Sequence, residues 1–551
     1  MAFLKGYWRR LSQRQLLLLT GFVAAFAVGF DGMAQGAMAS VQAAPHYTYT
    51  MQIGTEDGVV TNSTRQGGIV AIYYLGSLCG AFMAGWIADT YGRSKAVHFG
   101  AVWAFLGCAL QCAAQNLNMM LCARIIAGMG AGQLMSTVPT WTAEIAASHH
   151  RGKVITATFM ANFVGIAIIV WLGFGISFTT FGDGSFRWRF VFAANMLPLF
   201  ILVPLTLMMP ESPRWLVKVG RREEALEILA LARGESAHTT TVQHEVNEII
   251  VADELEKESG KRNSYWSMLV GVGYGDLHIA RRVQLGFWLQ VMCQFCTGIA
   301  AVLIYSGYIF ALANFNGIKS SWLGAITNTV GIPATLVAIY SMDYLGRRKL
   351  AFVGSSLQTI LLFMVGGLMV AIKNNPDKAD NIGKATASLI PVYMFVFAAT
   401  WLVIPWVYAT EIFPTALRAR GNAFNVAGWS IGYGGGGLVI PIMFSNIGAN
   451  TFFVIGAFQI ITIPIIYCFY PETNQRSLES LDLLFASKSP FVWSEEREFA
   501  KRIGELEHAV EARMAQEGNP LSQSAEKDVV HAAEVEKLPS ETPSLDADRA
   551  R

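Results

Sequence analysis

Asp89-Thr90-Tyr91-Gly92-Arg93 returns as Asp343-Tyr344-Leu345-Gly346-Arg347, 254 residues further along the chain. Two more pairs keep the same order. Glu144-Ile145 with Arg151-Gly152 is matched by Glu411-Ile412 with Arg418, and Pro210-Glu211-Ser212 by Pro471-Glu472-Thr473. Three signatures repeated at similar offsets mark a duplicated unit, and such self-similarity decides an architecture before any single helix is read.

The unit that repeats is a set of apolar runs. Of 551 residues, 53% are hydrophobic and 15% charged, against roughly 25% charged in soluble domains, so lipid is the expected solvent. A bilayer core needs about 20 apolar residues per helix, because each backbone polar group must be satisfied inside its own segment. Runs of that kind lie at 16–40, 67–88, 96–114, 117–141, 154–178 and 190–209, then at 283–313, 322–342, 350–372, 388–410, 423–444 and 449–470. The expected protein is all-α, with twelve transmembrane helices. Its parts are an N-terminal segment 1–15, a six-helix half 16–209, a helical linker 210–282, a second six-helix half 283–470 and a tail 471–551. Halves repeated in parallel face one another across a central cavity.

Orientation follows from cations in short loops. Lys5, Arg9, Arg10 and Arg14, then Arg93 and Lys95, Arg151 and Lys153, Arg347 to Lys349, and Arg418 with Arg420 share one side if both termini are cytoplasmic; Lys373 to Lys384 is an exception on the other side. The sequon at Asn62 then faces outward, where a glycan is expected. The N-terminal apolar run is too long for a cleaved signal and long enough to span. Residues 491–514 read as an amphipathic helix, and the Pro-, Ser-, Glu- and Lys-rich stretch from Gln516 as disordered. All seven cysteines lie in apolar stretches, including Cys293 and Cys296, so packing is expected of them rather than a disulfide or metal site. No block of basic residues suits a nucleic acid, and no metal cluster, nucleophile motif or phosphate loop points to an enzyme or a cofactor.

Gly85-x-x-x-Asp89-x-x-Gly92-Arg93, Arg124-x-x-x-Gly128-x-Gly130, Pro139 with Glu144, Pro210-Glu-Ser-Pro-Arg-Trp215 and Pro471-Glu-Thr-x-x-x-Ser-Leu-Glu479 together resemble the sugar porter family of the major facilitator superfamily. The resemblance covers about 16–485 and is closest to fungal members in the wording Glu411-Ile-Phe-Pro414 and the long tail. It implies the major facilitator fold and transport of a sugar by alternating access.

Within the twelve runs only Asp31 and Arg124 are charged. Each costs about 2.5–3.5 kcal/mol at a helix centre on insertion scales, which makes a structural ion pair one reading and a proton site the other. A carboxyl in a partly dry cavity beside an arginine can change protonation as the cavity opens. The resemblance agrees, since proton-coupled members carry these two residues and facilitative members usually lack the Asp. A second group, Asp89, Arg93, Glu144, Arg151, Glu211, Asp343, Arg347, Glu411 and Arg418, sits at the cytoplasmic ends. In the family these positions form salt bridges that close the inner gate, a bistable element of the kind alternating access needs.

Sugars offer hydroxyl edges and apolar faces to amides and aromatic rings. The candidates are Asn162, Gln290, Gln294, Thr297, Tyr305, Asn328, Thr335, Trp406, Asn425 and Trp429, although a polar residue in such a helix is more often glue between helices. Gln294 and Trp406 match the family pattern. Phe159, Phe295, Ala300 and Gly331 replace hydroxyl-binding amides, so the pocket is expected to be more apolar than one for a plain hexose. A sugar acid, a deoxy or methyl pentose, a cyclitol or quinate-like acid, or a disaccharide would fit this description. The overall expectation is a monomeric plasma-membrane solute:proton symporter whose partners are a sugar-like molecule, protons and the lipid bilayer. A uniporter and a non-transporting sugar sensor of the same fold are the alternatives.

Overall fold

The computed structural model describes residues 7–145, 151–179, 184–258, 264–414, 417–474, 476, 478–487 and 489–517. Twelve long helices carry the fold. The first six are α1 (Gln13–Val41), α2 (Ser63–Tyr91), α3 (Arg93–Ala113), α4 (Leu117–Ile145), α5 (Arg151–Ile176) and α6 (Ser185–Met208). The second six are α7 (Ile279–Leu312), α8 (Ile318–Leu345), α9 (Arg347–Asn374), α10 (Pro376–Ile412), α11 (Arg418–Ile447) and α12 (Thr451–Phe469). Eleven stretches are long and apolar enough to cross a membrane, because Gly448–Asn450 joins α11 to α12 by a single helical turn and the two read as one. Split there, they give the expected twelve.

The N-terminal half closes through small residues. A Cβ on Gly76 or Gly80 of α2 would stand 2.2 and 2.0 Å from carbonyl oxygens of α4, and one on Gly128 or Gly132 would stand 1.9 and 2.0 Å from carbonyls of α2. Helices that lack side chains at their crossing approach backbone to backbone, which is how association is driven where lipid removes the hydrophobic effect between helices. Gly32 and Gly165 bring α1 and α5 together in the same way.

In the second half two helices are interrupted. The first segment of α7 ends at Val291, passes through a wide turn at Met292–Cys296 and a left-handed Gly298 (φ 71°), and resumes at Ile299. Thr400 leaves helical geometry in α10, which resumes at Ile404. The halves meet along α2 with α11 and along α5 with α8.

Short helices between α6 and α7 (Pro213–Lys218, Arg222–Arg233, Thr240–Glu258 and Tyr265–Val270) gather at one end of the bundle, called here the linker end. Trp215, Leu216, Val217, Ala225 and Ile228 of the first two form a core with Trp8 of the N-terminal segment, and Ile249 and Ile250 of the third pack against it. Arg233 pairs with Glu245 (2.6 Å) and donates to the Ile145 carbonyl (3.1 Å), tying the linker to α4.

The tail beyond Thr473 is a separate unit. Its helices Leu478–Phe485 and Val492–Glu517 pack through Leu481, Leu484 and Phe499, and Arg476 pairs with Glu496 at 2.8 Å. The second matches the predicted amphipathic helix; the first was not foreseen. Residues 518–551, where disorder is expected, lie outside the described residues.

Candidate functional site

The wall facing the cavity in the middle of the bundle differs from half to half. The first half supplies Asp31 and Gln35 from α1, Met135 from α4, and Phe159, Asn162 and Phe163 from α5. The second supplies Gln294, Ile299 and Leu303 from α7, Phe397, Leu402 and Trp406 from α10, and Trp429 and Tyr433 from α11. Both broken helices therefore present their interrupted stretches to this space. Its free volume is about 20 Å³, room for about one water, so admitting a pyranose requires the helices to separate.

Asp31 is completely buried. Its Oδ2 accepts from Gln35 Nε2 (2.6 Å), one helical turn on, and from Asn162 Nδ2 (3.3 Å) across the α1–α5 crossing, while Oδ1 meets no donor. Arg124 does not pair with it. The guanidinium lies 4.9 Å from the ring centre of Tyr73, Nε donates to the Ile69 carbonyl (3.3 Å) and Nη1 to Gln111 (3.5 Å). The two membrane charges are thus held separately: a carbonyl, an amide and a ring face hold the cation, and two amides hold one oxygen of the acid.

The predicted solute residues divide. Asn162, Gln294, Trp406 and Trp429 line the cavity. Gln290 lies behind it and accepts from Gln294 Nε2 at 3.4 Å. Thr297, Asn328 and Thr335 donate instead to carbonyls of their own helices, at Cys293, Gly324 and Ile332, the local bonding that such side chains favour. Tyr305 donates to the Gly437 carbonyl (2.8 Å), joining α7 to α11. Asn425 is buried near the linker end, with Gly286 and Phe413 nearby. Gln35, Met135, Phe163, Phe397 and Tyr433 were missed, as were the aliphatic Ile299, Leu303 and Leu402. The substitution at Gly331 explains one of them, because a Cβ there would meet the Phe163 ring at 2.1 Å. Phe163 fills the volume that the missing amide leaves.

At the linker end, matched charge networks recur. Arg93 pairs with Asp89 and Glu144 (both 3.4 Å), and Arg347 with Glu411 (2.6 Å), which also accepts from Thr473 (2.6 Å). Glu211 accepts from the backbone N–H of Ser94 (3.1 Å), and Glu472 from those of Arg347 (2.9 Å) and Arg348 (3.0 Å). Each carboxylate sits on the positive end of a helix. Burial pushes the Glu211 carboxyl above the usual carboxylate range, against the pull of the Ser94 and Lys95 backbone N–H groups and of the Lys95 and Arg93 charges. Gly92 (φ 105°) and Gly346 (φ 81°) make the turns, and a Cβ on either would stand 2.6 or 2.5 Å from its glutamate. That is the physical content of the Gly-Arg signature.

Arg418 is buried, Asp343 is exposed, and the Arg151 side chain lies outside the described residues. Arg420, which the repeat did not single out, pairs with Asp89 at 2.7 Å and joins α11 to α2 across the halves. Asn422 donates to the Ser136 carbonyl (2.8 Å) on the same seam. Tyr265 of the linker donates to the Phe82 carbonyl (3.0 Å) and packs edge-on against Phe82 and Phe424, touching both halves. No motif could have announced it, except that Gly85 leaves the space it occupies: a Cβ there would meet the Tyr265 hydroxyl at 1.9 Å.

Comparison with known proteins agrees with this arrangement. A family model described as "Sugar (and other) transporter" matches residues 17–485. The MFS-type transporter criB of Aspergillus cristatus is 29% identical over 446 residues, 78% of this chain and 90% of that one. The high-affinity glucose transporter of Kluyveromyces lactis is 28% identical over 450 residues, 78% and 79% of the two chains. The proton:xylose symporter XylE bound to 6-bromo-6-deoxy-D-glucose superimposes with a TM-score of 0.71 at 24% identity, over 86% of this chain and 100% of that one. At this identity the likeness is one of fold.

Proposed function

We propose a function from one premise: the chain belongs to the sugar transporter family of the major facilitator superfamily and is a membrane transporter, not an enzyme. On that premise it imports a sugar-like solute together with a proton. The linker end, which carries the cationic loops, faces the cytoplasm in this reading, and Asn62, whose Oδ1 caps α2 by accepting from Arg65 N (2.9 Å), faces outward.

The observation that carries the reading is Asp31. It is the one acidic group on the cavity wall, it is fully buried, and a hydrogen-bonded acid in that position gains or loses a proton as the cavity meets each side. Arg124, held by Tyr73 and Gln111, is the cation it can reach when α1 and α4 shift. The paired networks at the linker end, with Arg420–Asp89, Asn422 and Tyr265 joining the halves, form the inner gate. Opening it breaks contacts between halves and keeps those within each half.

The test is uptake of labelled sugars, cyclitols and sugar acids into transporter-deficient cells, with and without an uncoupler. Accumulation that the uncoupler abolishes supports symport. Saturable uptake indifferent to the uncoupler would leave a uniporter.

A further inference from the structure

Among the described residues that line it, the central cavity holds one acidic side chain and no Lys, Arg or His. Asp31 Oδ1 is buried without a hydrogen-bond donor, and the two amides that reach Oδ2 are neutral. Arg124 is engaged elsewhere. Beside this acid runs a continuous band of rings. Phe159 lies 4.9 Å from Trp406, Trp406 6.2 Å from Trp429, and Trp429 6.5 Å from Tyr433, between ring centres.

Aromatic faces attract cations, best on Trp, and the attraction grows where water is excluded. A buried carboxylate needs a partner of opposite charge or a proton. An acid with one unmet oxygen and an indole-lined wall is together the complement of an ammonium group on a ring with an apolar face. It opposes a carboxylate, whose charge would stand beside that of Asp31 with no cation on the wall. A neutral sugar could give Oδ1 a hydroxyl but would leave the charge unbalanced unless a proton came with it.

We infer that the cavity prefers a sugar-like solute bearing one protonated amine, which binds Asp31 Oδ1 while its ring lies on Trp406 and Trp429. The inference rests on the transport reading for the size and class of solute, and narrows it to aminated members of that class. The ammonium brings to Asp31 the positive charge that a neutral solute needs as a separate proton.

The test uses the purified full chain and three probes of one shape: D-glucosamine, N-acetyl-D-glucosamine and D-glucose. Binding is read from tryptophan fluorescence, since Trp406 and Trp429 line the cavity. The expected result is affinity for D-glucosamine at least ten-fold above either neutral probe, kept by Asp31→Glu and lost in Asp31→Asn. Equal affinities, preference for a neutral probe, or binding of none of the three by the wild-type chain would overturn the inference, whatever the variants do. Proton-driven uptake of D-glucose into liposomes, measured on the same preparation, tests the transport reading separately. Glucose accumulation without amine preference leaves symport standing and ends this proposal, whereas amine preference without any uptake does the reverse.

Discussion

In the first half, α1 and α4 run unbroken past the cavity and α2 meets α4 through glycines at carbonyl distance; in the second, α7 and α10, their counterparts by order in the repeat, break beside the same cavity. The side chains on the cavity wall divide in a related way. The acid belongs to the first half, with Gln35 and Asn162 beside it, while Trp406, Trp429 and Tyr433 belong to the second, with Gln294 as its one amide among the described lining residues. One copy of the duplicated unit became the rigid holder of an acid, where a misplaced donor would matter most. The other became a jointed aromatic wall, where an interrupted helix frees backbone groups and permits local bending.

Asp31→Asn is the sharpest way to break this division. Accumulation of a neutral sugar against a gradient is expected to vanish, falling by about two orders of magnitude, while exchange of that sugar across the membrane persists; counterflow in liposomes distinguishes the two. Undiminished accumulation would place coupling outside Asp31. Next in size is Gly80→Val, which puts a branched side chain against the α4 backbone. It should cost about 3 kcal/mol or more, read as lost thermal stability in detergent. Gly366→Ala in the second half, where the nearest atoms are the Phe452 and Phe453 side chains at 3.2 Å, should cost under about 1 kcal/mol. Equal losses would show that these two crossings do not differ in packing. Trp406→Leu should weaken solute binding about ten-fold and leave the dependence on an uncoupler unchanged. Smallest is Arg420→Gln, which removes one partly exposed ion pair between halves worth about 1 kcal/mol or less. It should raise labelling of an engineered cysteine at the linker end a few-fold, with transport largely kept.

Twelve helices, most of their boundaries to within about five residues, and the duplication were legible because hydropathy and the Gly-Arg turns are local properties; α10 starts twelve residues before its apolar run, through the polar stretch after Pro376. The site was legible only in part. Asp31 could be named, since a charge in an apolar run stands out, but its partners could not. With two charges in the membrane the sequence suggests a pair, whereas a glutamine one turn along and an asparagine across a glycine crossing are ordinary residues that only packing brings together. Thr297, Asn328 and Thr335 were less legible for a related reason: a helix can absorb the donor of a hydroxyl or amide into its own backbone, and periodicity does not reveal which way the side chain turns. Phe163 was invisible because its role depends on what Gly331 lacks, 168 positions away. Tyr265 and Arg420 close the seam between halves from places where no repeated signature points.

The glutamates at 211 and 472 each lie just beyond the last helix of a half and turn back to cap the third helix of that same half. In a chain made from its N-terminus, Glu211 leaves the ribosome directly after α6 and before any of α7 to α12 exists. The first half can therefore be fastened shut during synthesis, with no need of the second, and Glu472 repeats the step when α12 is complete. Assembly becomes two closures in series followed by docking, and the polar ends of α3 and α9 never wait for a partner from the other half.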